Sequence, residues 1–126
     1  ATIDGSTLIA RNDDTFLALT PQRFYVHPAE KDQPQRTWAS NQNGFTAPIP
    51  SDGYRYLATP NVETDKTGEY AESGINSQNV AMSATESVYG NPQALAFDPL
   101  VANGLAEDSL QTMVLPYINS ARDGVR

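Results

Sequence analysis

Along this chain, short β-favouring runs separated by turn residues fill the first two thirds, and a helical period takes over in the last third. Thr7 to Asn12, Arg23 to His27 and Tyr54 to Ala58 are predicted strands, each short, β-branched or aromatic, and bounded by Pro, Gly, Asp or Asn. Asp4-Gly5 just ahead of the first run is a strong hairpin signal, because a tight primed turn needs positive φ at its central positions. Only Ala1, Thr2 and Ile3 precede it, so the pattern predicts a further strand upstream that pairs with Thr7 to Asn12. Glu69 to Thr85 reads as a second hairpin: Tyr70, Ser73 and Ile75 lead into Asn76-Ser77-Gln78-Asn79, and Val80 to Thr85 leaves it with small residues. Small residues let other groups approach a strand backbone closely, which suits both a site floor and tight sheet packing. Between the second and third strands, Pro28 to Gly53 reads as one long polar loop with four prolines and the only Trp. Beyond Asp98, Leu110, Met113, Val114, Tyr117, Ile118, Ala121 and Val125 recur at spacings of three and four, predicting an amphipathic helix that starts at Glu107 and Asp108 and kinks at Pro116.

Composition narrows the function classes. Fifteen acidic against eight basic residues give a formal charge of -7 with no Lys/Arg cluster, which argues against nucleic acid and anionic membrane as partners. No run approaches the roughly 20 apolar residues of a membrane-spanning helix. The 126 residues contain no cysteine and a single histidine, His27, so neither a thiolate nor a histidine cluster comes from within the chain. His27, ahead of Pro28, is expected to be an ordinary exposed residue. Trp38 and Phe45 are expected to fill a local core or to cover a small ligand, and Met113 and Tyr117 to lie in the core.

Four segments carry a resemblance: Gly5-Ser6-Thr7-Leu8-Ile9-Ala10-Arg11-Asn12-Asp13-Asp14, Gly74-Ile75-Asn76-Ser77-Gln78-Asn79-Val80-Ala81-Met82-Ser83-Ala84-Thr85-Glu86-Ser87, Asp98-Pro99-Leu100-Val101-Ala102, and Leu115 to Val125. In that order they resemble the N-terminal portion of bacterial dipeptidases of the C69 cysteine-peptidase family. The resemblance implies an α+β chain, part of an N-terminal-nucleophile hydrolase with an αββα sandwich, in which residues 1–126 form one partial domain. Its nucleophile, a cysteine exposed by processing, would stand upstream of residue 1. It also implies no cofactor or metal, a dipeptide substrate, the remainder of the same polypeptide and a second copy of the chain as partners, and a bacterial cytoplasmic location.

The chemistry explains why such residue types are needed. The nucleophile's own α-amino group, with an ordinary pKa near ~8, can act as general base close to neutrality, so no histidine is required. A guanidinium beside the sulfur favours the attacking thiolate, and a nearby carboxylate orients the amino group and binds a substrate ammonium. Arg11 and Asp14 match the family's Arg-Asn-x-Asp motif and are the candidates for those two roles. The bland reading of the same pair is a solvated ion pair in a surface turn. Thr85 and Glu86 are candidate substrate contacts. Related amidases place an oxyanion-binding asparagine after such a hairpin, but here Ala84-Thr85-Glu86 stands there, leaving backbone N–H groups or Thr85 for that task. Asn76 and Asn79 are read as turn residues. A noncatalytic β-rich binding module, or a relative without its nucleophile, is the alternative reading of the whole.

Overall fold

The computed structural model describes residues 2–12, 24–60, 71–85 and 89–126, for 107–109 the backbone only. A four-stranded antiparallel sheet organises them, with strand order β1 (Tyr25–His27), β4 (Tyr56–Pro60), β5 (Ala71–Asn76), β6 (Ala81–Ser83). β2 (Arg36–Ala39) and β3 (Thr46–Ile49) form a separate two-stranded antiparallel sheet. Three helices follow: α1 (Pro92–Phe97), α2 (Glu107–Val114) and α3 (Ala121–Gly124), with a 3-10 turn (Leu115–Tyr117) after α2. The chain is therefore α+β with antiparallel sheets. No helix among the described residues is long and apolar enough to cross a membrane.

The sheet buries alternate residues of its central strands, as a period of two requires. Tyr56 and Ala58 of β4 and Ala71 of β5 meet Leu115 of the 3-10 turn in the core, with Met82 packed against them. Gly74 faces the same turn. A Cβ there would stand 2.6 Å from Leu115 Cδ2 and 2.7 Å from the Leu57 carbonyl oxygen, so only glycine lets helix and sheet approach this closely.

Several expected elements take a different form. Thr7 to Asn12 makes no strand ladder among the described residues; instead Thr7 Oγ1 reaches the Asn79 carbonyl (3.4 Å) and Arg11 reaches Ala84, so the segment runs alongside β6 through side chains. The Asp4-Gly5 turn is not the two-residue primed type. The Gly5 N–H donates to the Thr2 carbonyl (3.0 Å), Ile3 and Asp4 stay at ordinary φ, and Gly5 alone is left-handed at φ 81°, as in a three-residue loop ending in a glycine bulge. Thr2 and Ser6 hydroxyls and the Ser6 N–H converge on Asp4 and hold its carboxyl down at about 2.

Pro28 to Gly53 is not an open loop but the β2–β3 hairpin with a stitched base. Glu30 and Gly53 exchange both backbone hydrogen bonds (2.8 and 3.1 Å), and Gln33 N–H donates to the Ser51 carbonyl (3.2 Å). Pro48 sits opposite Thr37, tolerated because a two-stranded sheet has only edges. At the tip, Asn43 Oδ1 accepts from Phe45 N–H and Asn43 Nδ2 donates to the Gly104 carbonyl. Trp38 and Phe45 face each other across this hairpin with ring centroids 6.3 Å apart.

The predicted kinked helix is instead broken. α2 ends at Val114, Pro116 sits in the 3-10 turn, Ile118 is extended, and α3 begins afresh with Ser120 Oγ accepting from Asp123 N–H (3.2 Å). Proline lacks the N–H that would continue the ladder, and donors on Asn76 and Tyr54 take up carbonyls left open where the helix ends. Asn76 Nδ2 donates to Leu115 and Ile118 carbonyls (both 2.8 Å), and Tyr54 N–H donates to the Pro116 carbonyl (2.7 Å). The buried face is also displaced from the expected stripe. Gln111, Leu115, Pro116 and Ile118 are buried, while Leu110, Met113, Val114 and Tyr117 are half-buried. α1 was not expected; Asn91 caps it by accepting from Ala94 N–H (2.8 Å), and Pro92 opens its first turn.

Candidate active site

Arg11 reaches from the N-terminal segment to the end of the β5–β6 pairing, where its guanidinium contacts Glu72 of β5 and Ala84 just past β6. Nη1 donates to the carbonyls of Glu72 (2.9 Å) and Ala84 (2.7 Å), and Nη2 pairs with the Glu72 carboxylate at 3.1 Å. The two side chains are only 19% and 13% exposed. This is not the solvated turn pair of the bland reading. A planar fork serves the two backbone carbonyls from one nitrogen and the carboxylate from another in a fixed geometry, where a lysine offers a single nitrogen.

Glu72 O is the meeting point. It accepts from Ala84 N–H (3.2 Å), from Arg11 Nη1, and from Nε2 of Gln111 on α2. The Arg11 charge is thus held in place by a carboxylate and fixed relative to the end of β6. Ala84 O and Thr85 N–H belong to one peptide unit, so Arg11 is bonded to the peptide group that also presents Thr85, whose residue is exposed. Asp14 and Glu86 lie outside the described residues.

The Asn76 side chain does far more than shape a turn. Its Oδ1 accepts from Gln78 and Val80 N–H (3.0 and 3.1 Å) while its Nδ2 reaches the 3-10 turn, so all four hydrogen-bonding positions of a buried carboxamide are used. Asn79 takes the left-handed conformation, φ 63°, that closes the hairpin.

A second concave feature lies on the hairpin side of the sheet. A cleft of about 190 Å³ is lined by His27, Glu30, Arg36, Trp38, Tyr54 and Tyr117, among others. His27 is not an ordinary exposed residue: half-buried, it stacks on Tyr56 with centroids 4.2 Å apart and planes 7° from parallel. Arg36 grips Glu30 with both Nη atoms (2.9 and 2.5 Å), and this hydrogen bonding holds the Glu30 carboxyl below its usual range. Burial raises the Tyr117 hydroxyl. Among the described residues no group of three or more His, Cys, Asp or Glu side chains is placed to hold a metal ion.

Sequence reasoning missed Glu72 and Gln111. Each left a signal: an acid among the small residues Ala71, Ser73 and Gly74, and an amide four residues before Leu115 and seven before Ile118, on the face that turns to the core.

Comparison with known proteins agrees with the motifs. Over residues 1–126 the chain matches the model of Peptidase family C69. It is 56% identical over 126 residues to a probable dipeptidase of Latilactobacillus sakei, covering 100% of this chain and 26% of that protein. It is 51% identical over 125 residues to a probable dipeptidase B of Lactococcus lactis subsp. lactis (strain IL1403), covering 99% of this chain and 26% of that protein. A probable dipeptidase A of Streptococcus pyogenes serotype M3 (strain SSI-1) is 44% identical over 126 residues, again with 99% and 26% covered. The chain spans about a quarter of the length of these curated relatives. With the motif-bearing segments in family order and the match running end to end, this chain belongs to Peptidase family C69.

Proposed function

We propose that the chain is the N-terminal part of a cytoplasmic cysteine dipeptidase, an N-terminal-nucleophile hydrolase of αββα architecture that transfers the acyl group of a dipeptide to a cysteine preceding residue 1. The observation that carries this reading is Arg11 of the Arg-Asn-x-Asp motif, sequestered and rigidly held at the end of the β5–β6 hairpin, in a chain whose relatives are named probable dipeptidases.

In this scheme the cysteine thiolate attacks the scissile carbonyl carbon and forms the C–S bond. The nucleophile's α-amino group takes the thiol proton and passes it to the leaving amine as the C–N bond breaks. Water then attacks the thioester; the amino group takes its proton and returns it to the departing sulfur. Arg11 raises the thiolate share, tempered by its own pairing with Glu72. Asp14 orients the amino group and binds the substrate ammonium. Thr85 stabilises the oxyanion, through its N–H or its hydroxyl, and Glu86 contacts substrate. The scheme calls for neither metal nor cofactor.

N-terminal sequencing and intact mass of the full-length protein test the nucleophile, and iodoacetamide tests its role. A processed N-terminal cysteine whose alkylation abolishes hydrolysis across a dipeptide panel is the expected result. A protein that binds dipeptides without cleaving them, or that cleaves them after alkylation, overturns the reading.

A further inference from the structure

Gln111 lies in α2 and is 1% exposed. Its Nε2 donates to the Glu72 carbonyl, the same oxygen that accepts from Arg11 Nη1 at 2.9 Å. A carbonyl offers no proton, so only the NH₂ end of the amide can face it, which fixes the carboxamide orientation and turns Oε1 away. That Oε1 is buried and has no hydrogen-bond partner among the described residues. Buried polar atoms are seldom left so. At a core-facing position between Leu110 and Leu115, leucine or methionine would bury equally well without an orphaned acceptor. The amide therefore answers to its contact with Glu72 rather than to packing.

We infer that Gln111 is a positioning residue for Arg11. By fixing where Glu72 O sits on β5, its Nε2 bond fixes where the guanidinium fork rests, and so the distance from the Arg11 charge to the reacting sulfur. The inference rests on the site role proposed for Arg11 and adds a residue that the Arg-Asn-x-Asp motif does not contain.

The test uses the full-length protein with Gln111→Met and Gln111→Leu, both able to stay buried and neither carrying a donor. In each, kcat for dipeptide hydrolysis falls about tenfold or more while KM stays within about twofold, because a small misplacement of a charge acts on the transition state and not on substrate binding. The acid limb of the kcat/KM profile moves to higher pH as the thiolate loses support. In an Arg11→Lys background, which already lacks the fork, adding Gln111→Met changes the rate less than about twofold. Independently of any hydrolysis, modification of Arg11 by phenylglyoxal, read by peptide mass spectrometry relative to Arg36, speeds up severalfold in both variants. Additive losses in the cycle, or an unchanged Arg11 to Arg36 modification ratio in both variants, overturn the inference. Absence of dipeptide hydrolysis in the wild-type protein instead overturns the dipeptidase reading, and the modification ratio still decides whether Gln111 positions Arg11.

Discussion

Arg11 is both a clamp and a candidate catalytic group, and the geometry shifts the balance between the two. The observed contacts with Glu72 and Ala84 give it a scaffold role, so its removal takes the guanidinium from a mostly buried carboxylate and a donor from two carbonyls. Arg11→Ala is expected to cost about 2–4 kcal/mol of stability, read from the urea midpoint, alongside lost hydrolysis in the full-length protein. Glu72→Ala should recover part of the stability when added to Arg11→Ala, since it removes a mostly buried charge that has lost its guanidinium, but no activity. Restored hydrolysis in that double variant would make Arg11 purely structural. Asn76 offers a cleaner case. Asn76→Asp keeps the acceptor for Gln78 and Val80 but sets a carboxylate against the Leu115 and Ile118 carbonyls, so it should destabilise at least as much as Asn76→Ala, by roughly 2–4 kcal/mol. A tolerated Asp there would mean that the 3-10 turn is held by packing alone. At this scale Arg11 was legible because its motif is local. Glu72 and Gln111 were not, because their meaning lies in one carbonyl that three distant segments share.

Among the elements, β2–β3 was the least legible. Its strands carry a proline and alternate with polar residues, so they read as loop until the Glu30–Gly53 bridge and the Glu30–Arg36 pair give the segment a closed base. The helical end was legible in period but not in continuity: Pro116 signalled a kink, whereas Asn76 and Tyr54 supply enough donors to let the helix stop altogether. The hairpin carries a pH prediction. Arg36 holds the folded Glu30 carboxyl below its ordinary value of 4.5, chiefly by hydrogen bonding. A depressed carboxylate contributes stability that is full above the unfolded value and is lost as pH falls through 4.5 and on through the folded value. Both side chains are about one third exposed, so the contribution is small, below about 1 kcal/mol. Trp38, the only Trp, sits in β2 and reports it. Its fluorescence should change as pH falls through 4.5 and below, and Glu30→Gln should flatten that change. An identical titration in the Gln variant would place the signal in another carboxylate.

For the whole molecule, burial is the deciding quantity. The core of the described residues gathers Tyr56, Ala58, Ala71 and Leu115, with Met82 alongside, a small set for the segments described. Meanwhile α1 and the segment after it bury nothing: Leu95, Phe97, Leu100, Val101 and Leu105 are all exposed, Phe97 at 93% and Leu100 at 88%. Conformational entropy opposes folding by roughly 1–2 kcal/mol per ordered residue, and so little buried apolar area does not offset it across the described segments. The isolated residues 1–126 are therefore expected to self-associate and to unfold without a sharp transition. They are also expected to hydrolyse no dipeptide, since they contain no cysteine. In the full-length protein, backbone amides of 92–105 should exchange at least tenfold more slowly than in the isolated chain, once the exposed side chains are covered. Sedimentation and a urea melt of the isolated chain, with hydrogen exchange on both forms, check this. A monomeric, cooperative transition together with equal exchange of 92–105 in the two forms would mean that these apolar residues face solvent in the full-length protein as well, and that the small core is sufficient.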